Sequence, residues 1–372
     1  MLNKILESHF LFAFISILLG FMFGAIMLLV VGLNPIEAYG AMLYGIFSRP
    51  QFVARVFIHA TPIIMTGLGV AFAFRTGLFN IGAEGQYILG SLAAVWVGVY
   101  WELPPIILPI VCILAGALAG AACGSIAGLL KATRGVSEVI TCIMLNWSAL
   151  FFSNWVMQNT GLMREASEAS HNIQYAAMIS LNWANLGIDQ YSPGILGAIR
   201  RAVGPATPVN FGFFVAVLAV IVVHIIINKT TLGYRLRAVG FNKNASLYGG
   251  ISVARSVMIS MAISGALAGI GGALMITGVQ RRIHLLAGME GFGFDGLAVS
   301  MIGANNPIGV LFSGLFFSAL RFGSSRLTLM GAPSELADII MGCIIYFIAI
   351  SNAIRMVYLY FLKKRGSAHA SN

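Results

Sequence analysis

The sequence predicts an all-α, polytopic integral membrane protein, and its composition supplies the first reasons. Of the 372 residues, 59% are hydrophobic and only 9% are charged, whereas average soluble domains carry roughly 25% charged residues. A soluble protein of this composition would expose large apolar patches. The 43 glycines suit closely packed membrane helices. An intrinsically disordered chain is excluded because apolar residues are in excess.

The apolar runs predict about ten transmembrane helices, including broken or half-length segments. A spanning helix needs about 20 apolar residues, and the runs lie at 10–32, 52–74, 81–100, 105–130, 137–158, 211–228, 254–279, 291–304, 308–323 and 336–360. Ten crossings place both termini on one side, where the connecting segments also carry more Lys and Arg. We therefore expect both termini in the cytoplasm and a single transmembrane domain over 1–372.

Two connections are long enough to do more than join helices. Residues 159–210 form a loop on the outer side, rich in Ser, Asn and Gly, and residues 229–253 form a basic cytoplasmic segment punctuated by Gly. Loops of this length are usually functional or disordered. The middle of 229–253 is compatible with a short helix.

One predicted helix carries a ridge of glycines. Gly116, Gly120, Gly124 and Gly128 recur at every fourth position, so they lie along one face of the helix. Such a face lets another helix approach at backbone distance. We expect close helix packing here, with a sliding surface for gating as the alternative.

Residues 75–86, RTGLFNIGAEGQ, interrupt two apolar runs and leave almost no room for a loop. Non-helical backbone at membrane depth is tolerated only where protein buries it or where it lines a wet cavity, and transporters use such breaks to contact substrate. Glu84 needs a partner to offset its desolvation, and Arg75 is the nearest candidate. The alternative is a tight cytoplasmic turn.

A second glycine pattern, Gly291, Gly293 and Gly296, matches GxGxxG. It lacks the βαβ unit through which that motif binds dinucleotides. The glycines instead favour the beginning of a half-length helix, with Asp295 in its first turn, where the helix dipole stabilises a negative charge.

Several patterns of catalysis and cofactor binding are absent from the sequence. There is no Gly-Lys pair for a phosphate-binding loop, no HExxH and no GxSxG, and the four cysteines lie in apolar runs without metal-ligand spacing. We expect no enzyme activity, no cofactor and no metal on this chain, so any ATP is hydrolysed by another subunit. The net charge of +10 is explained by positive cytoplasmic loops rather than by nucleic-acid binding.

Four segments carry a family resemblance: GLFNIGAEGQYILG (77–90), LGYRLRAVGFNKNASLYGGI (232–251), SGALAGIGGAL (264–274) and GFGFDGLAVSMIGANNPIG (291–309). Together they resemble the permease subunits of bacterial ABC importers, in the simple-sugar and nucleoside branch related to the ribose and branched-chain amino acid permeases. The resemblance covers roughly 52–350.

The resemblance implies a subunit of an importer in the bacterial cytoplasmic (inner) membrane. It implies three protein partners: a second, similar permease, an outer substrate-binding lipoprotein and an ATPase with two nucleotide-binding cassettes on one chain, which uses the ATP. The substrates it implies are purine nucleosides.

The resemblance also makes 232–251 the segment that docks on the ATPase. The family pattern matches at Arg237, Ala238, Gly240, Asn242, Ala245 and Gly250, whereas Ser246 replaces a more usual Ala. Independently, a short helix bounded by Gly233 and Gly250 could act as a lever, with Arg235, Arg237 and Lys243 facing acidic groups of a partner. The alternative is an ordinary solvated basic loop.

Nucleosides are neutral and combine an aromatic base with hydroxyl groups, so their pathway should offer flat side chains and uncharged hydrogen-bonding groups. The candidates are Phe79, Asn80, Glu84, Gln86, Asn146, Trp147 and Asn154. Each Asn within a span could instead bind a neighbouring helix.

We therefore expect import of purine nucleosides by alternating access, with a ribose-like simple sugar as the alternative substrate. An ion-coupled secondary transporter is the competing class. It normally carries ionisable groups at mid-membrane, whereas Glu84 and Glu138 are both expected near the cytoplasmic edge.

Overall fold

The computed structural model describes residues 9–180, 194–204, 207–333, 335–336, 338–347 and 350. This part of the chain is built from α-helices joined by short connections, with isolated β-bridges and no strand. In chain order the helices are α1 (His9–Val30), α2 (Pro35–Phe47), α3 (Pro50–Phe74), α4 (Ala83–Tyr100), α5 (Ile107–Arg134), α6 (Glu138–Asn159), α7 (Ile195–Val203), α8 (Gly212–Lys229), α9 (Thr231–Phe241), α10 (Lys243–Tyr248), α11 (Val253–Met275), α12 (Phe292–Ile302), α13 (Pro307–Leu329) and α14 (Asp338–Phe347).

Each of the ten predicted segments contains one of these helices. Six helices are long and apolar enough to cross a membrane (α3, α5, α6, α8, α11 with its last turn, and α13), and α1 with α2 adds a seventh span if that pair, bent by 115°, counts as one. The other predicted segments are α4, whose first turn is polar, and the short apolar helices α12 and α14. The all-α polytopic class and its half-length element α12 are confirmed.

The chain divides into two compact units. Met1–Ser48 and Ala319–Asn372 form one unit, and Arg49–Ser318 forms the other. In the first unit, Gly20 of α1 packs against the backbone of Ile344 in α14. The second unit contains every residue proposed above for substrate or ATPase contact.

The glycine ridge of α5 packs on α11, as predicted. A Cβ atom on Gly120 would collide with the carbonyl of Gly265, and one on Gly124 would collide with the carbonyl of Met261. Cys123 and Ala127 beside the ridge are buried. Glycine is required along this line because the two backbones are in direct contact.

The interruption at 75–82 is also present. Helix α3 ends at Phe74, Gly77 adopts a φ of 71°, and the chain remains non-helical until α4 begins at Ala83. A positive φ suits glycine, which has no Cβ to clash with the backbone. Leu78 and Asn80 are buried, whereas Gly77 is exposed, so protein covers part of the irregular backbone, as it would have to at membrane depth.

Helix α11 ends in a π-helical turn, Ile276–Gln280, at the end of the bundle covered by the 159–210 loop. Ile179 donates its backbone N–H to the carbonyl of Thr277 at 3.0 Å. The side chain of Asn210 donates to the carbonyl of Gly278 at 3.3 Å. The described part of the loop thus holds the widened turn, because it satisfies carbonyls that the turn leaves free.

Candidate functional site

The polar residues of the interruption bind one another. The side-chain amide of Asn80 donates to Gln86 Oε1 at 2.8 Å and to Ser264 Oγ at 2.7 Å, while its Oδ1 accepts from the backbone N–H of Gly82 at 3.0 Å. All of these groups are buried, and buried polar groups are stable when they are paired. Asn80 therefore closes the turn into α4 and ties it to α11.

The carboxylate of Glu84 binds the beginning of α12. Its Oε1 accepts from the N–H of Gly291 at 2.7 Å, and its Oε2 accepts from the N–H of Gly293 at 2.6 Å. These amides are not used by the helix itself, and the helix dipole favours a negative charge at this end. A Cβ on Gly293 would collide with the backbone of Glu84, which explains why glycine stands there.

One expectation about Glu84 is wrong. Arg75 is not its partner, because Arg75 Nε donates to the carbonyl of Asn305 at 3.1 Å. Helix α12, which Glu84 binds, packs on the middle of α3, where Thr66 Oγ1 donates to the carbonyl of Phe292 at 2.9 Å. The position of Glu84 near the cytoplasmic edge stays a prediction.

Asn146 of α6 holds the beginning of α4 from the other side. Its Oδ1 accepts from the N–H of Gly85 at 2.8 Å, and its Nδ2 donates to the carbonyl of Ile81 at 3.1 Å. A Cβ on Gly85 would lie 2.8 Å from the Cα of Asn146. Asn146 therefore acts as a cap for α4, supplied by a neighbouring helix.

Asn154 serves a different element. Its amide forms two hydrogen bonds of 2.9 Å with the backbone of Leu286, donating to the carbonyl and accepting from the N–H. Leu286 lies in 281–291, the connection between α11 and α12. Asn154 thus clamps that connection to α6.

The structure brings four of the seven predicted pathway residues together around the beginning of α4: Asn80, Glu84, Gln86 and Asn146. Phe79 packs edge-on against Phe74, with ring centroids 5.2 Å apart. Trp147 is 49% exposed and stacks on Phe151 with centroids 6.0 Å apart. Of the two aromatic residues among these seven, Trp147 is the more exposed.

The sequence reasoning missed the glycines that bind Glu84, as well as Ser264, Tyr87 and Glu290. Gly291 adopts a φ of 91°, and the glycine pattern at 291, 293 and 296, interpreted from the sequence as the beginning of a helix, was the available signal for this contact. Tyr87 and Glu290 lie next to Glu84 in space, but no sequence pattern indicates that these three residues are neighbours.

The segment 229–253, predicted to be cytoplasmic, contains two short helices, α9 and α10. The hydroxyl of Thr230 accepts from the N–H of Gly233 at 3.1 Å and caps α9, while Asn242 Oδ1 accepts from the N–H of Ala245 at 3.0 Å and caps α10. Phe241 and Tyr248 are 89% and 94% exposed. The pair of helices therefore presents aromatic side chains that no other part of the described chain covers.

The nine predicted docking residues divide by their surroundings. Arg235, Asn242, Lys243, Ala245 and Gly250 are exposed, Arg237 and Ala238 are half-buried, Gly233 is buried against the end of α8, and Gly240 packs on the interruption. The Nε atom of Arg237 is buried and has no hydrogen-bond partner among the residues that the structure describes. Its positive charge acts on Arg75, so Arg237 faces the bundle.

Gly240 of α9 contacts the interruption at 75–82. A Cβ on Gly240 would collide with the carbonyl of Arg75, and the Cβ position of Gly77 lies 3.5 Å from the Cα of Gly240. The two backbones touch with no side chain between them. Helix α9 and residues 75–77 are therefore in direct backbone contact.

Comparisons with known proteins agree with this architecture. Residues 52–349 match the model of a family described as "Branched-chain amino acid transport system / permease component". The chain is 40% identical to the guanosine ABC transporter permease protein NupP of Bacillus subtilis, over 97% of this chain and 98% of the relative. It is 34% identical to the nucleoside ABC transporter permease protein NupB of Lactococcus lactis, over 92% and 91%. Identity to the glucose ABC transporter permease protein TsgB13 of Haloferax volcanii is 31%, over 91% and 86%.

Proposed function

Because the chain belongs to the branched-chain amino acid transport system permease family, we propose that it is the membrane-spanning subunit of an ATP-driven importer of purine nucleosides. The substrate is supported by two relatives, named for guanosine and for nucleosides, that align with nearly the whole chain. Family membership also argues against the ion-coupled secondary transporter, whatever the depth of Glu84.

The observation that carries the mechanism is the backbone contact between Gly240 and Arg75–Gly77. An ATPase that binds α9 and α10 differently in its two states would displace α9. The displacement would pass to the interruption at 75–82. Asn80 would carry it to α11 through Ser264, and Glu84 would carry it to α12.

Three further subunits complete the proposed importer. The exposed aromatic and basic residues of α9 and α10 would bind an ATPase whose single chain carries two nucleotide-binding cassettes and hydrolyses ATP. A second, similar permease would complete the pathway, and a substrate-binding lipoprotein would deliver the nucleoside from outside. We place the assembly in the bacterial cytoplasmic membrane with both termini in the cytoplasm, and we assign no cofactor to this chain.

Trp147 is the pathway residue best placed to meet substrate directly. Its indole ring is half-exposed and lies one helical turn from Phe151, with which it stacks. Aromatic faces stack on purine bases. Asn80, Gln86 and Asn146 are engaged in hydrogen bonds within the chain, so a role in contacting substrate requires these bonds to open during transport.

A sugar substrate is the second candidate, because the Haloferax volcanii relative is named for glucose. The assay that separates the two is substrate-stimulated ATP hydrolysis by the purified complex, with its binding protein, in nanodiscs. We expect stimulation by guanosine and other purine nucleosides, and none by glucose, ribose or leucine. Stimulation by glucose or ribose alone would overturn the nucleoside assignment and keep the ATP-driven mechanism.

A further inference from the structure

Carboxylates accumulate where α12 begins. Glu84 binds the amides of Gly291 and Gly293, Glu290 directly precedes Gly291, and Asp295 lies in the first turn of α12. A helix terminus contributes only about half a positive charge. Within the described part of the chain, neither Glu84 nor Glu290 has a Lys, Arg or His side chain in ion-pair contact. The local charge is therefore not balanced by the protein when both glutamates are ionised.

A buried hydroxyl group faces the same place. Tyr87 is fully buried, and its ring packs on Phe292 with centroids 5.2 Å apart. Within the described residues, neither its Oη atom nor Ser91 Oγ, one turn further along α4, has a partner at full hydrogen-bond geometry. The side chains that face the Tyr87 hydroxyl are Ser91 and Glu290. Buried polar groups are rarely left unpaired, and each such group calls for an explanation.

The fold holds Glu290 firmly beside these groups. On one side, the π-helical turn at the end of α11 presents Gln280 to its carboxyl group. On the other, Gly291 is fixed by Glu84, and Asn154 clamps the connection at Leu286. Glu290 is half-buried, so it can exchange protons with its surroundings.

The titratable and charged groups that face Glu290 are few. Helix α4 contributes Glu84 and Tyr87, the π-helical turn contributes the neutral amide of Gln280, and α12 contributes Asp295 in its own first turn. Glu290 itself lies in the connection 281–291, outside the spanning helices. Burial, followed by the negative charge of Glu84, raises the pKa of Glu290 to about 7.

We propose that Glu290 is a proton-binding site, paired with the Tyr87 hydroxyl, and that its proton holds the beginning of α12 against α4. A protonated carboxyl group donates one hydrogen bond and still accepts others. It can donate to Tyr87 Oη, and the tyrosine can then donate to Ser91 Oγ. An ionised Glu290 could accept from the Tyr87 hydroxyl, so both protonation states can pair this group, and what the proton adds is the removal of a negative charge from beside Glu84.

A metal cation is a poorer occupant of this site. No group of three or more His, Cys, Asp or Glu side chains in the part of the chain that the structure describes is arranged to hold a metal ion. When Glu290 loses its proton, a second negative charge stands next to Glu84. That repulsion weakens the packing of 285–292 on α4. The inference goes beyond the proposed transport function and does not depend on the substrate.

The pH dependence has a definite sign. The native state binds the proton of Glu290 more tightly than the unfolded chain, in which a glutamate titrates near about 4.3. Stability therefore falls as pH rises from about 4.3 to about 7 and levels off above, where both states have lost the proton. Glu290→Gln, which imitates the protonated form, should lose this slope.

The test is the midpoint of thermal unfolding of the purified complex in nanodiscs, measured from about pH 5.5 to about pH 8.5. We expect the wild-type midpoint to fall up to about pH 7 and then level off. Glu290→Gln should lack this fall relative to wild type and should unfold at a higher temperature than wild type at the alkaline end. Glu102→Gln, at an exposed carboxylate, is the matched control and should keep the wild-type slope. A Glu290→Gln protein with the wild-type slope overturns the proposal.

Three further measurements test the site if the Glu290→Gln protein does not fold, or if a cation binds in place of the proton. Tyr87→Phe keeps the carboxyl group but removes its partner, so the midpoint of the pH dependence should shift, and an unshifted midpoint overturns the pairing. Infrared spectroscopy of the wild type should show a protonated carboxyl band that disappears over the same pH range. A dependence of stability on sodium concentration, at fixed pH and ionic strength, in place of the pH dependence would identify a bound cation and overturn the proton site.

Discussion

The carboxylate of Glu84 binds the backbone N–H of Gly293 at 2.6 Å, although 209 residues separate the two in the chain. The bond joins α4 to α12 where both helices begin, beside the middle of α3. Two amides and a helix dipole face the carboxyl group, an environment that favours its ionised form. The broken elements of this protein are thus joined by a buried polar contact as well as by apolar packing.

Glu84→Gln should destabilise the protein strongly. A glutamine presents its NH₂ group to one of the two backbone amides, which then has no acceptor. The other amide keeps an acceptor, but a neutral oxygen replaces a charged one. Hydrogen bonds to charged groups contribute about 1.5–3 kcal/mol each, and a loss in that range is expected. Thermal unfolding of the purified complex measures it. Glu165→Gln, at an exposed position, is the control, and equal unfolding midpoints for the two variants would refute the role of Glu84.

Gly293→Ala should separate α12 from α4. The added methyl group would collide with the backbone of Glu84, and overpacking of this kind costs about 1–3 kcal/mol. Gly288→Ala in the same connection is the control, because nothing lies within 4 Å of its Cβ position. We expect Gly293→Ala to lower the unfolding midpoint and the initial rate of nucleoside uptake, with Gly288→Ala close to wild type. Similar behaviour of the two alanine variants would show that the close approach does not matter.

Gly240→Ala should uncouple ATP hydrolysis from transport. The methyl group would force α9 away from the carbonyl of Arg75 while leaving the outward face of α9 unchanged. The complex should still assemble and hydrolyse ATP, but uptake per ATP should fall by about tenfold, equivalent to about 1.4 kcal/mol of lost coupling. Gly249→Ala, whose Cβ would lie at ordinary contact distance, 3.5 Å, from its neighbours, should be neutral. Parallel loss of hydrolysis and uptake in Gly240→Ala would instead indicate a docking defect.

Arg235→Glu should weaken binding of the ATPase. Arg235 is exposed on α9, and reversing its charge opposes the acidic groups expected on the partner. The ATPase co-purified with the permease should fall by about tenfold, with Arg134→Glu, also exposed and at the end of α5, as the control. Arg237 is a poorer choice, since its buried Nε and its proximity to Arg75 make a substitution there a test of folding. Full recovery of ATPase with Arg235→Glu would remove that residue from the docking surface.

Much of the fold follows from local patterns. Apolar runs predicted the helices, the glycine ridge at 116–128 predicted a backbone contact, and the polar run at 75–86 predicted the interruption. Gly291 and Gly293 predicted where the half-length helix begins. Each pattern predicts structure because it reflects a local requirement of the backbone. Backbone groups must form hydrogen bonds in lipid, and a Cβ atom needs space where two helices touch.

The contacts between distant segments could not be predicted in the same way. Arg75 was the nearest cation to Glu84 in the sequence, yet the backbone of Gly291 and Gly293 supplies the partners. Hydrogen bonds depend on distance in the folded structure and not on separation along the chain. Asn146 and Asn154 share a helix face loosely, but eight residues correspond to about 12 Å along the axis. They therefore hold different elements, and their contact with substrate stays a prediction.

The central claim is that this chain transports only when an ATP-hydrolysing partner drives it, and uptake of radiolabelled guanosine into proteoliposomes tests that most directly. Vesicles containing this permease with its co-purified subunits, the binding protein and ATP on the side of the ATPase should accumulate guanosine against its gradient. They should do so with a protonophore present, and they should stop when ATP is removed. Accumulation by the permease alone, or accumulation that a protonophore abolishes while ATP depletion does not, would contradict the account.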